Sequence, residues 1–267
     1  MLAAVDIHHI DAHLKPVLAD LRSMRLFVTG SHSWFGKWIC DWLDHAGVEY
    51  GRWVKPYNIF AGGHFDAVIH LAVCDIEPVI EFALRHDAPV LFTSTGGVYD
   101  PQPQMSSLLK IKDELTLTMS GLPYRIARCF SFIGDGIDDD LAAGVFIHKA
   151  IKGDPLTVWG DGMTQRSYMY MADLVIWLLT ILIKGENDVY DVGGNIPITI
   201  RQLARFTADQ FEPKCGVVFI DRLLPERNAV YVPDSENYKR ALDMGLRTWV
   251  TWKEAIRRTI ADELPRL

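Results

Sequence analysis

The sequence predicts an α/β fold, a doubly wound parallel sheet with a smaller α/β lobe. Three observations carry this. A β-rich pentapeptide runs into a glycine turn and then an amphipathic helix over residues 25–46, strands and helices alternate through the first half, and that rhythm loosens beyond about residue 135.

Bulk properties set the limits. The chain has 267 residues, 49% hydrophobic and 23% charged, an ordinary globular balance. Lys plus Arg total 27 against 34 for Asp plus Glu, a net charge of −7 with no long basic stripe, so nucleic acid is not an expected partner. Cys40, Cys74, Cys129 and Cys215 are scattered without a CxxC pair, which points to a reducing, cytoplasmic setting. The longest apolar run, LVIWLLTILI, has 10 residues, whereas a bilayer span needs about 20. It is read as a buried helix, and no membrane is expected. Residues 1–24 lack the basic start and apolar stretch of a signal peptide. Three histidines there, His8, His9 and His13, are read as a solvated helix face, and no metal site is expected.

Taken in order, Asp6 to Met24 reads as an amphipathic helix, with Ile10, Leu14, Val17, Leu18 and Leu21 near helical spacing. Arg25–Thr29 is a strand. Phe35, Trp38, Ile39, Trp42, Leu43 and Ala46 then mark one face of a helix. Strands fit 49–54, 67–71, 90–93 and 124–130, with helices at 75–86 and 106–120 between them. Later come helices at 140–152, 172–184, 199–211 and 251–264, and short strands near 155–159, 189–192 and 216–220. The expected domains are an N-terminal helical extension (1–24), a dinucleotide-binding domain (25–135, with returning segments near 155–195) and a mainly substrate-binding lobe (136–267).

The turn after the first strand is TGSHSWFG, residues 29–36. Gly30 and Gly36 allow backbone N–H groups and the positive end of a helix to approach a pyrophosphate closely. Ser31, Ser33, Trp34 and Phe35 complete the candidate cofactor-binding turn, and Ser33 stands where a third glycine is usual. The second strand has no acid at its end. Its YGRWVK offers Arg52 and Lys55, so a 2′-phosphate could be attracted, or both could be solvated surface cations. NAD and NADP both remain open.

Several ordered motifs resemble the extended short-chain dehydrogenase/reductase superfamily, in its NAD-dependent epimerase/dehydratase branch that acts on nucleotide sugars. FVTGSHSWFG resembles its glycine turn. FDAVIHLAV resembles the third strand, which places Leu71, Ala72 and Val73 beside the cofactor. FTSTGGVYD resembles the strand of the active-site Ser or Thr, GLPYRIARCFSFIGDG the next strand and loop, and GDPLTVWGDGMTQRSYMYMADLV a segment specific to the nucleotide-sugar enzymes; VYDVGGNIPITIRQLA and PDSENYKRALDMGL extend the likeness. The likeness implies a Rossmann-like fold, NAD or NADP, a nucleotide-sugar substrate and a place in polysaccharide biosynthesis. It also implies a homodimer through the helices at 75–86 and 106–120, although both look short here.

In that family a Tyr four residues before a Lys acts with a Ser or Thr. Thr95 matches the Ser/Thr, Lys110 matches the Lys (with Lys112 as its neighbouring alternative), and Thr93 joins the cofactor site. Four residues before Lys110 stands Ser106, which has no phenol. A serine hydroxyl has too high a pKa to replace a phenol as general acid/base near neutral pH. Tyr99, or Tyr168 or Tyr170 from the second lobe, could serve instead; otherwise the protein binds its ligands without the standard chemistry. The likeness places Arg166 on the substrate diphosphate, which suits a planar guanidinium, although a surface ion pair with Asp173 is the simpler alternative. Trp159 is a candidate for the base and Ser131 for the sugar. The expected function is thus an NAD(P)-dependent nucleotide-sugar epimerase, dehydratase or reductase with an atypical site, or a catalytically impaired binding protein with a regulatory or structural role.

Overall fold

The computed structural model describes residues 2–53, 63–220, 230–233 and 235–264. The chain divides into two compact units. The first comprises Met1–Cys129, Leu174–Val192 and Ser235–Leu246; the second comprises Phe130–Asp173, Gly193–Asp234 and Arg247–Leu267.

In the first unit, α1 (Ala4–Leu14) and α2 (Leu18–Ser23) replace the single helix expected over 6–24. Pro16 lies in the gap between them, where its missing N–H and ring would interrupt a continuous helix. Ile10, Leu14, Val17 and Leu21 are all buried, as the helical spacing requires. Asp11 ties α1 to the following helix by accepting from the buried Trp42 indole at 3.0 Å and pairing with His45 at 3.0 Å.

β1 (Arg25–Thr29), α3 (Trp34–Ala46) and β2 (Glu49–Trp53) come next. Gly47 closes α3 in the left-handed region at φ 67°, a conformation that costs glycine little. Then follow β3 (Ala67–His70), α4 (Glu77–His86), β4 (Val90–Thr95), a 3-10 turn (Gly96–Tyr99), α5 (Met105–Thr118) and β5 (Tyr124–Cys129). In the second unit come β6 (Phe132–Ile133), α6 (Ala142–Ile151), β7 (Leu156–Trp159), β8 (Gln165–Arg166) and β9 (Met169–Tyr170). α7 (Met171–Lys184) leads the chain back to the first unit, where β10 (Asp188–Val192) joins the sheet.

That sheet has six strands in the order β10-β5-β4-β3-β1-β2, every pairing parallel. Strand interiors such as Ala67–His70 are buried throughout, as a sheet covered on both faces demands. Phe27, Phe65, Phe82, Phe92, Val68, Ile80, Leu117 and Ile126 form one core cluster, and each large side chain removed from water contributes roughly 1.5–3 kcal/mol. The run at 174–182 in α7 is buried along its whole length, with Trp177 fully covered. No helix among the described residues is long and apolar enough to cross a membrane.

The second unit contains small sheets. β11 (Ile198–Thr199) runs antiparallel to β8, β12 (Val217–Ile220) parallel to β7, and β13 (Val230–Tyr231) parallel to β8. α8 (Ile200–Ala208) starts with a complete capping box between Thr199 and Gln202. α9 (Glu236–Asp243), capped by Ser235, belongs to the first unit, and α10 (Trp252–Glu263) to the second.

Candidate active site

The glycine turn is built by close backbone packing. A Cβ on Gly30 would lie 2.7 Å from the Ala72 nitrogen, and Gly30 has φ 70°. A Cβ on Gly36 would lie 2.1 Å from the Gly30 carbonyl oxygen. Both positions therefore admit only glycine, and the tip of β3 sits directly against the turn.

Ser33 does more than fill the place of a third glycine. It is the N-cap of α3, its Oγ accepting from the Gly36 N–H at 3.1 Å. One of the amides that a helix start leaves open for an anion is thus occupied by the protein's own hydroxyl. Ser31 is buried in the turn with an Oγ that meets no partner among the described residues. Leaving a buried hydroxyl unsatisfied costs about 1–3 kcal/mol, so this atom is suited to a polar ligand.

Above the turn lies a crevice of about 180 Å³ lined by Thr29, Gly30, Ser31, His32, Ser33, Trp53, Ala72, Val73 and Cys74. Ala72 and Val73 are among these lining residues, and Val73 is 91% exposed. Leu71 supplies backbone: its N–H donates to the Thr29 carbonyl at 3.3 Å, while its side chain is buried. Trp34 and Phe35, the first two residues of α3, contribute main-chain N–H groups at the helix start.

Arg52 is not among the lining residues. Alternation along β2 turns it with Tyr50 toward α3, where it pairs with Asp44 at 3.2 Å and meets the Tyr50 hydroxyl. Among the described residues Arg52 is thus held on α3 rather than at the crevice, and Lys55, the other cation considered there, lies outside the described residues. Trp53, the next residue of the strand, faces the crevice instead.

A hydrogen-bonded row runs across the strand ends. The Ala72 N–H donates to Thr29 Oγ1 at 3.4 Å, Thr29 Oγ1 meets His70 Nδ1 at 2.6 Å, Thr93 Oγ1 donates to the His70 carbonyl at 3.1 Å, and Lys110 Nζ donates to the Thr93 carbonyl at 2.9 Å. Burial first, then the Lys110 ammonium, pushes the His70 imidazole down to about 3, so it is neutral near pH 7. Burial likewise lowers the pKa of Lys110, against which Asp113, Cys129, Cys74 and Glu114 act. The ammonium also lies 4.5 Å over the Phe92 ring.

Thr95 ends β4, and its Oγ1 accepts from the Gly97 N–H at 3.1 Å. The inward stripe of α5 runs through Ser107, Lys110, Asp113, Glu114 and Leu117. Ser107 is accordingly buried, and its Oγ lies 2.5 Å from where a Gly97 Cβ would stand, with Thr95 Oγ1 3.4 Å from the same point. The serine that α5 turns toward Thr95 is thus Ser107, whereas Ser106 is exposed.

The three tyrosines considered as substitutes are all engaged. Tyr99 donates to Asp191, accepts from Asn237 at 2.8 Å and lies under the Arg128 guanidinium at 4.8 Å. Burial, the largest cause, raises the pKa of Asp191 against Ser235, Tyr99 and Arg128. In the second unit Tyr168 is buried, which drives its phenol pKa upward, and Tyr170 is fully covered beneath Arg258.

The other candidates lie in the second unit. Arg166 on β8 donates to the Gln165 carbonyl at 2.8 Å and stacks over Tyr231 at 5.2 Å. One carboxylate oxygen of Asp173, the alternative partner considered for Arg166, receives the Trp249 and Val250 amides at 2.9 and 3.0 Å. Trp159 is 49% exposed at the end of β7. The Ser131 carbonyl accepts from the Met169 N–H, pairing β6 with β9. Among the described residues no group of three His, Cys, Asp or Glu side chains could hold a metal.

Residues 113–193 match the NAD dependent epimerase/dehydratase family, and this stretch runs from α5 through β10. That stretch is therefore similar to the family whose motifs the sequence resembles. UDP-glucuronic acid decarboxylase 1 of Arabidopsis thaliana is 25% identical over 271 residues, covering 76% of this chain and 62% of that relative. The chain thus spans less than two thirds of that plant protein. UDP-glucose 4-epimerase of Thermus thermophilus, solved with NAD, superimposes with a TM-score of 0.74 at 20% identity over 90% of this chain and 98% of that one. RMD from Pseudomonas aeruginosa, complexed with NADPH, gives 0.76 at 21% identity over 91% and 100%. These superpositions agree with a Rossmann-like α/β fold.

Proposed function

We propose that this protein binds NAD or NADP at the glycine turn and uses it in an epimerase, dehydratase, reductase or decarboxylase reaction on a nucleotide sugar. The observation carrying this is the row from Ala72 through Thr29, His70 and Thr93 to Lys110, which joins the turn to the lysine of the family's catalytic pattern. The turn suits a pyrophosphate: Gly30 and Gly36 let its backbone pack tightly against the residues after β3 and the start of α3, and Ser31 offers a buried hydroxyl unsatisfied among the described residues. Gly30, Ser31, Trp34 and Phe35 would hold the phosphates. When bound, the nicotinamide supplies hydride acceptance and donation at a sugar carbon.

The chain's own residues orient and neutralise. Lys110 is held by Thr93 in a buried place, where its charge acts through a low effective dielectric. Thr95 offers a hydroxyl to a substrate oxygen, and Arg166 offers a guanidinium to a diphosphate in the second unit. The activities for which the relatives are named support a nucleotide sugar as substrate, with polysaccharide biosynthesis as the corresponding role. A homodimer through α4 and α5 is part of the proposal; Leu108, Leu115 and Met119 leave an exposed apolar row on α5. So is a cytoplasmic setting.

A second reading is supported by Ser106 at the tyrosine position and by the engagement of Tyr99, Tyr168 and Tyr170. It is a dinucleotide-binding protein without turnover. The deciding experiment is titration with NADH and NADPH, followed by incubation of the NAD-loaded protein with UDP-glucose and UDP-glucuronic acid. Binding with sugar conversion supports the enzyme, binding alone supports the second reading, and no binding of either dinucleotide overturns both.

A further inference from the structure

The crevice has an aromatic wall that neither the turn nor the catalytic pattern explains. Trp53 ends β2 in register with Thr29, one residue before Gly30. Gly51, two residues earlier on the same side, faces the Phe65 ring, which a Cβ there would approach to 2.9 Å. Trp53 continues that face, packs against the cluster of Phe27 and Phe65, and reaches the crevice. Arg52, on the opposite side, is held by Asp44 and Tyr50. No carboxylate is present among the described lining residues, so none of them offers the acid that usually accepts from both ribose hydroxyls; beside Trp53 stand the apolar Ala72 and Val73.

We infer that Trp53 is the adenine-holding residue of this protein, a flat indole on which the purine of the dinucleotide stacks while its phosphates lie at the turn by Ser31. The inference rests on the proposed dinucleotide site and adds how its adenosine end is gripped: by stacking and apolar contact. Stacking of a base on an aromatic side chain is worth enough that its removal weakens binding about tenfold. It also requires an aromatic ring, which an aliphatic side chain of similar bulk does not provide.

The test is NADH titration, read by nicotinamide fluorescence, on wild type, Trp53→Ala, Trp53→Leu and Trp53→Phe, with ADP-ribose and nicotinamide mononucleotide as competitors. The expected result is about tenfold weaker NADH binding in Trp53→Ala and Trp53→Leu, Trp53→Phe within about threefold of wild type, and the loss repeated for ADP-ribose but not for nicotinamide mononucleotide. If Trp53→Leu binds as tightly as Trp53→Phe, stacking is overturned. This comparison also decides the matter if Trp53→Ala fails to fold. If folded wild type binds no NADH, the dinucleotide site itself falls; a failure of the inference alone shows as equal binding across the variants.

Discussion

Tyr99 donates its phenolic hydrogen to Asp191 at 2.9 Å across 92 residues of sequence. The tyrosine nearest in sequence to the catalytic pattern is therefore a structural clasp, which also receives the Asn237 amide. Tyr99→Phe is expected to lower unfolding free energy by about 1 kcal/mol and to leave any sugar conversion within about threefold of wild type. Denaturant titration and product assay check this; turnover lost with stability intact would make Tyr99 the proton carrier.

Asp191 gives a pH signature. Its pKa is raised in the folded state, chiefly by burial, so its contribution to stability is fully present below the unfolded carboxyl pKa and is lost as pH rises through the folded value. The stability of wild type minus that of Asp191→Asn should fall as pH climbs from the acid range toward neutral. Urea midpoints at several pH values measure it, and a flat difference contradicts the burial account.

Lys110 behaves in the opposite sense. Its folded pKa is depressed, so between that value and the ordinary lysine pKa the unfolded chain holds more protons and stability rises with pH. Lys110→Met should flatten that alkaline rise and reduce sugar conversion by at least about a hundredfold. Paired melts and rate measurements above neutral pH test both parts.

Ser33→Gly should free the Gly36 N–H for an anion. NADH binding is expected to tighten about threefold, while the cap exchange costs only a few tenths of a kcal/mol in stability. Calorimetric titration decides, and weaker binding would show that the Ser33 hydroxyl itself contacts the phosphates.

Arg52→Ala should change the ratio of NADPH to NADH affinity less than about twofold, because the guanidinium is committed to Asp44 and Tyr50. A large loss confined to NADPH would mean that the cation leaves α3 when ligand binds.

The parts legible in the sequence are those governed by local period or by glycine. The face of α3 from Trp38 to Ala46 and the pair Gly30 and Gly36 are visible because 3.6-residue spacing and missing side chains are sequence properties. The row from Thr29 through His70 to Thr93 was not legible, since it joins residues 41 and 23 apart by strand register. Trp53 escaped for a related reason: neighbouring residues in a strand face opposite ways, so a cation at 52 says nothing about the crevice occupied by 53. α9 is only eight residues long, and β8, β9, β11 and β13 have two each, too short for any period to show. Ser106 and Ser107 are adjacent hydroxyls, and only the inward stripe of α5 separates them.

The first unit is assembled from three stretches of chain, with Leu174–Val192 and Ser235–Leu246 returning to it after parts of the second unit have been made. A ribosome thus delivers Tyr99 long before Asp191, Ser235 and Asn237, and the edge beside β5 waits for β10. A nascent chain cannot complete the first unit before much of the second has been made. Cutting the gene after Cys129 would leave β5 without the strand that pairs with it, so the two units are inseparable in synthesis.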